Sequence, residues 1–375
     1  MKKLLAILAC ALCLAGCHGH LASSSHAKII IDSDYNTIGD DGQLGVMAAQ
    51  LHAQGAVDVL GITVVSGRQW LRQGTADALK SMERLGVGAQ IGVYSGANTP
   101  LTHDLETIRS ELEKFPEPDA QLGAWEMPEP MFDSDVRAPP DGFAQQTTLR
   151  RKNAVDFIVD SVKQNPHQVT ILAVGPLTNI ALAVLQHPEI VPLIKQIIYL
   201  GGAFTVAGNA TAHAEFNWWF DPEAAQIVLH QPIPQVVIPL DAASTVVMDK
   251  KIYDRIAHDP DRHTAVTQLF SQLEGYGLHH KAGFETDRNF TAHVMDSLTI
   301  AYLLDPRFAT ETVDEWVDVD IAFGPDDGRS IAYLKTPPAR LGLKKMRVVK
   351  RFDNARFFNL YVDLLTRPVP VKLAG

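Results

Sequence analysis

Residues 28–31, Lys-Ile-Ile-Ile, end directly on Asp32-Ser33-Asp34, and Asp40-Asp41 follow after five more residues. A run this apolar and this branched reads as a strand buried on both faces, which in practice means the interior of a mostly parallel sheet. The carboxylates then emerge at its carboxyl end, where open α/β sheets bind their ligands. Four carboxylates within ten positions raise one another's pKa values and repel unless a cation or several donors compensate them. A hard divalent ion with oxygen ligands is the simplest compensation. The competing reading, a solvated acidic turn, is disfavoured by the strand before it and the second Asp pair after it.

The β-then-α rhythm continues. Apolar spacing predicts helices over 42–54 and 69–85 and strands over 57–65 and 90–94. Further on, helices are expected over 153–164, 177–186, 269–281 and 297–304, with strands over 169–174, 196–200 and 235–239. Segments 317–322 and 330–334 flank Gly324-Pro325-Asp326-Asp327-Gly328, a hairpin signal. This pattern predicts an α/β fold: a single large domain, residues 28–375, with a mostly parallel, doubly wound, Rossmann-like sheet flanked by helices. Residues 102–146 break the rhythm with Pro116, Pro118, Pro128, Pro130, Pro139 and Pro140. They read as an insertion or lid that carries specificity.

The amino terminus is of another kind. Met1-Lys2-Lys3, an apolar run from Leu4 to Ala15, and Leu14-Ala15-Gly16-Cys17 read as a secretory signal too short to span a bilayer, ending in a bacterial lipobox. Residues 1–17 are therefore expected to be a lipoprotein signal, with Cys17 acylated, and residues 18–27 a flexible tether. The expected location is an exported, membrane-anchored lipoprotein facing the periplasm. All three cysteines, Cys10, Cys13 and Cys17, lie in this segment, so the body has no disulfide and no thiolate metal site. Without Lys2 and Lys3 the basic count falls from 33 to 31 against 43 acids, a formal charge of −12. That balance disfavours nucleic acid and anionic lipid as partners. It suits neutral substrates and divalent metals.

Three later segments carry polar groups suited to a site. Gly201-Gly202-Ala203-Phe204 follows a strand and leads to Gly208-Asn209 and Glu215-Phe216-Asn217, whose donors and acceptors suit sugar hydroxyls or, read plainly, cap a helix. Asp221-Pro222-Glu223 is a helix start, so Asp221 reads as a cap. Asp296 opens the apolar run 297–304 and, taken alone, also reads as a cap. At Val174-Gly175-Pro176-Leu177-Thr178-Asn179 a strand end turns into a helix, where an exposed carbonyl could serve a hard cation.

Taken in order, the acidic turn, Thr63-Val64-Val65-Ser66-Gly67, Gly175-Pro176-Leu177-Thr178-Asn179, Gly201-Gly202-Ala203-Phe204, the stretch from Asn209 to Asn217, and Asp296 resemble the calcium-dependent nucleoside hydrolases, the inosine-uridine preferring family. The resemblance covers residues 28 to 305. It implies cleavage of the N-glycosidic bond of ribonucleosides to free base and ribose, with Ca2+ as cofactor. Asp34 would bridge calcium and the attacking water and act as general base. Asp41, Asp296 and the Val174 carbonyl would be further metal ligands. Asp40, Asn209, Glu215 and Asn217 would hold the ribose hydroxyls, Asp32 would support the acidic turn from behind, and Phe216 would pack. Assembly into homo-oligomers is implied by the resemblance alone.

The chain departs from the family pattern at three places. The gap between Asp34 and Asp40 is longer than in the best-known members. Met295 precedes Asp296 where the family often carries His, Trp or Cys, and Met cannot donate a proton to a leaving base. His293, Tyr276, His279 and His280 are candidate replacements, and Trp125 could stack on a base or simply pack. Arg68 stands where Asn is common. Two rivals follow from the residues: a non-catalytic nucleoside- or sugar-binding lipoprotein of the same fold, and a D-x-D phosphotransferase using Asp32, which Asn36 disfavours.

Overall fold

A computed structural model describes residues 26–368 except 38, 118–119, 263 and 271–282. The signal, the lipobox and Cys17 lie outside the described residues, as do Tyr276, His279 and His280 and most of the helix expected over 269–281. The strands are β1 Ala27–Ser33, β2 Val57–Val64, β3 Gly92–Ser95, β4 Val169–Ala173, β5 Gln196–Leu200, β6 Gln235–Ile238, β7 Val247–Met248, β8 Ala292–His293, β9 Ala309–Val319, β10 Ser330–Tyr333 and β11 Lys345–Phe352. The helices used below are α1 Asp40–Ala53, α2 Leu71–Arg84, α3 Leu105–Lys114, α4 Ala154–Gln164, α5 Thr178–Gln186, α6 Phe216–Phe220, α7 Pro222–Leu229, α8 Leu240–Ala243, α9 Lys250–Ala257, α10 Ala265–Phe270, α11 Ser297–Leu304 and α12 Asn354–Thr366.

Nine of the described strands form one sheet in the order β10-β9-β11-β6-β5-β4-β1-β2-β3. From β3 to β6 every pairing is parallel, β11 adds to β6 in parallel, and β9 and β10 close the edge antiparallel. Ile29 and Ile31 pack into the cluster built with α1, α11 and α12, while Ile30 packs into the one built with α4, α5 and α7. Burial on both faces is why this strand carries branched apolar residues without polar alternation. From β1 the chain proceeds outward through β2 and β3; from β4 it proceeds the other way through β5 and β6. The strand order therefore reverses between β1 and β4, and the crevice beyond their carboxyl ends is the switch point where such sheets take ligands.

The hairpin across 324–328 forms as expected, with Ser330 opposite Val319. Helix α1 begins at Asp40, two residues earlier than the apolar spacing indicates. Gly39 takes the N-cap position in extended backbone, and two carboxylates in the first turn are favoured by the helix dipole. Residues 345–352 and 354–366, for which no element is predicted, form β11 and α12, the latter burying Phe357, Phe358, Tyr361, Val362 and Leu365 at helical spacing. The insertion holds α3 and the short turn Gly123–Glu126. Ile108, Ala124 and Trp125 from it build a third apolar cluster with Trp70, Phe216, Trp219 and Phe220. Among the described residues no helix is long and apolar enough to cross a membrane.

Candidate active site

Asp34 follows β1 immediately and is buried. Its Oδ2 accepts the backbone N–H of Arg68 at 2.5 Å, and glycines flank it on both sides. A Cβ on Gly67 would stand 2.4 Å from Asp34 Oδ2, and one on Gly175 would stand 2.6 Å from the Asp34 nitrogen. Only glycine permits either loop to lie this close. Burial raises the Asp34 carboxyl to about 7 against the Arg68 N–H bond, and the neighbouring Asp40 charge adds to the rise.

Asp40 and Asp41 project from the first turn of α1, and Asp296 from the start of α11. One carboxylate oxygen from each lies within 4.8 Å of the others. Asp41 is steadied by Ser33 Oγ, which donates to Oδ1 at 2.5 Å, and by Asn36 Nδ2, which donates to Oδ2 at 2.7 Å. Asp296 occupies the N-cap position of α11 yet makes no capping bond, and one of its carboxylate oxygens faces the cluster. Burial, then the Asp40, Asp41 and Asp34 charges, push the Asp296 carboxyl well above the usual range; burial, Asp34 and Asp40 do the same for Asp41. Asp40, half-buried, is raised by burial, with the positive charges of Arg68 and His293 opposing. The tight group among the described residues is thus Asp40, Asp41 and Asp296, with Asp34 beside it.

Asp32 lies fully buried behind these groups. Its Oδ1 accepts from Thr63 Oγ1 at 2.5 Å and Asn179 Nδ2 at 2.9 Å, while Oδ2 has no partner. Burial raises its carboxyl to about 6 against those two bonds.

The segment from Asn209 to Asn217 arrives from the far side of the crevice. Asn217 donates from Nδ2 to the carbonyl oxygens of Val174 and Leu200. Glu215 caps α6, accepting from the backbone of Asn217, Trp218 and Gly202, and burial raises its carboxyl to about 7. Asn209 Oδ1 accepts from the Phe216 N–H at 2.8 Å. Phe216 is buried against Trp219 and Phe220. Asp221 caps α7 as expected. Trp125 packs flat on Phe220 and edge-on to Trp70, so it belongs to the insertion's own core. Arg68 is exposed; its hydrogen bond to Asp34 is through its backbone, and its positive charge also lowers the Asp34 carboxyl. Met295 is half-buried against the main core.

The donor set is entirely oxygen, and the cationic charges that reach it are those of Arg68, on Asp40 and Asp34, and His293, on Asp40. Three convergent buried or half-buried carboxylates with raised pKa values fit a hard divalent cation.

A family model described as inosine-uridine preferring nucleoside hydrolase matches residues 29–359. The chain belongs to this family. The pyrimidine-specific ribonucleoside hydrolase RihB of Escherichia coli (strain SE11) is 32% identical over 304 residues, 81% of this chain and 86% of that protein. Among solved structures, a purine-preferring ribonucleoside hydrolase from Gardnerella vaginalis superposes with a TM-score of 0.70 at 26% identity, covering 90% of this chain and 98% of its own. The plant nucleoside hydrolase PpNRh1 shares the fold with a TM-score of 0.72 at 24% identity over 91% of this chain and 99% of its own. Membership makes this nucleoside hydrolase an N-glycosyl hydrolase acting on ribonucleosides, and it removes the phosphotransferase reading.

Proposed function

We propose that the protein hydrolyses ribonucleosides to base and ribose with calcium held by Asp40, Asp41 and Asp296 beside Asp34, the Val174 carbonyl contributing from the end of β4. The observation that carries this reading is the convergence of the three carboxylates at the switch point of the sheet. Bound there, calcium supplies a positive charge that acidifies a nearby water. Asp34, buried beside the cluster and fixed by the Arg68 N–H, is the base that takes the proton. Breaking the ribosyl C–N bond builds positive charge on the sugar, and the anionic pocket of Asp34, Asp40 and Glu215 stabilises it. Asn209, Glu215 and Asn217 orient the ribose hydroxyls from the opposite wall.

The leaving base needs a donor or a stabilising contact. Met295 offers no proton. His293 is exposed, two residues away, and its charge reaches Asp40, so it is the residue to test for that role.

A panel of pyrimidine and purine ribonucleosides, assayed for free ribose with calcium and after chelation, tests the reading. Pyrimidine nucleosides come first because the RihB relative is pyrimidine-specific. Ribose released only with calcium is the expected result. Tight nucleoside binding without turnover would instead support the binding-protein alternative. Export and acylation at Cys17 rest on the amino-terminal sequence. Labelled palmitate incorporated by the full chain and lost in Cys17→Ala is the expected outcome.

A further inference from the structure

The turn Gly123–Glu126 sits between the two walls of the site. On one side the Ala124 N–H donates to the Gly67 carbonyl at 2.8 Å, and the next residue, Arg68, donates its N–H to Asp34. On the other side a Cβ on Gly123 would meet the Phe216 ring at 2.6 Å and the Gly67 carbonyl at 2.5 Å, and Phe216 lies between Glu215 and Asn217. Gly123 has φ +57°, so both its backbone and its missing Cβ are required. Trp125 anchors the turn by stacking on Phe220 at 5.3 Å and meeting Trp70 edge-on at 5.2 Å. Trp70 in turn donates from Nε1 to the Met127 carbonyl at 2.9 Å.

We propose that the Gly123–Glu126 turn is a positioning element for catalysis: wedged between Gly67 and Phe216, it sets the base carboxylate of Asp34 in register with the sugar-holding residues Glu215 and Asn217. The inference rests on the ribonucleoside hydrolase reading above for its kinetic consequence, and on hydrogen bonds and ring contacts for its structure. The insertion then does more than cover the pocket. It spaces the two walls, and an error in that spacing is felt at the reacting bond, because a misplacement of about 1 Å costs up to about a hundredfold in rate.

The test uses the full chain with calcium. Gly123→Ala forces a Cβ into Gly67 and Phe216 and strains the backbone. It is expected to lower kcat by about ten- to a hundredfold with a much smaller change in KM, and to speed amide hydrogen exchange at Arg68. A folded Gly123→Ala protein with wild-type kcat and unchanged exchange at Arg68 would overturn the proposal. So would a rise in KM alone. Gly123→Asn, which tolerates positive φ better but still carries a Cβ, separates strain from crowding and is expected to lower kcat as well. Should neither variant fold, exchange in the wild type decides: Ala124 and Arg68 amides that open together support one rigid unit, and an Ala124 amide exchanging far faster than Arg68 rules it out. Wild-type protein inactive on every nucleoside would sink the functional reading, while the exchange comparison would still decide the placement of the turn.

Discussion

Asn217 donates from Nδ2 to the Val174 carbonyl oxygen at 3.0 Å, across 43 residues of sequence, and so joins segment 209–217 to the end of β4. The same nitrogen donates to Leu200 O at 3.1 Å. Replacing it by Ala leaves two buried carbonyls without that donor, at a cost of about 1–3 kcal/mol. Asn217→Ala is expected to lower Tm and, because the Val174 carbonyl is then free to turn, to weaken calcium binding measured by calorimetry. Unchanged calcium affinity would confine Asn217 to stability and sugar contact.

Asp34→Asn keeps an acceptor for the Arg68 N–H and removes the proton acceptor. The expected loss in kcat is about 10²–10⁴-fold with the fold intact by circular dichroism. Full turnover in this variant would move the role of base elsewhere in the cluster.

Arg68 grips Asp34 with its backbone, and its guanidinium is exposed. Arg68→Ala keeps the N–H but removes a positive charge that favours the ionised forms of Asp40 and Asp34, so a loss of kcat of about threefold to tenfold that shrinks with added salt is expected. A drop of about a hundredfold in ribose release would mean that the guanidinium itself contacts substrate.

The buried carboxylates make the metal-free protein sensitive to pH. Asp32 is raised to about 6, and Asp34 and Glu215 to about 7, by burial, whereas unfolded carboxylates titrate near about 4. Between those limits the folded chain holds protons that the unfolded chain has lost, so stability is fully present below about 4 and falls as pH rises towards about 7. In chelator, Tm should decrease from about pH 5 to about pH 7.5, and calcium should remove most of the decrease by supplying the charge that the protons supplied. A Tm in chelator that climbs with pH over this range would contradict the raised values.

Asn179 holds Asp32 Oδ1 and also accepts the Ala97 N–H at 2.8 Å. Asn179→Ala removes one of the two donors to the buried Asp32 Oδ1, leaving only Thr63, and takes the acceptor from the Ala97 N–H. We expect a loss of about 1–3 kcal/mol in chemical denaturation and, since Asp32 lies behind the acidic turn, about tenfold weaker calcium binding. Wild-type affinity would separate Asp32 from the metal site.

Much of this arrangement is legible in the sequence because local rules write it. The apolar run 29–31, buried from both sides, announces a central strand. Asp221 before Pro222 announces a cap. The carboxylates after β1 announce a ligand site. Boundaries shift where capping outweighs apolar period, as at Asp40, and β11 escapes because its pairing with β9 is interrupted by register shifts around Val349 and Arg351. Trp125 shows the limit of reading a lone aromatic: whether it faces substrate or core depends on Phe220 and Trp70, neither its neighbour in sequence.

The sequence by itself determined the α/β alternation, the place of the acidic residues at a strand end, and, through its ordered motifs, the family. Only the tertiary structure decided that Asp40 lies with Asp41 and Asp296 in one carboxylate group, that the Arg68 N–H binds Asp34, and that the insertion's Gly123 turn wedges between both walls of the site. The physical reason is range: strand and helix periods are fixed by neighbours a few residues away, whereas the direction of a buried carboxylate is fixed by whichever distant segment packs against it.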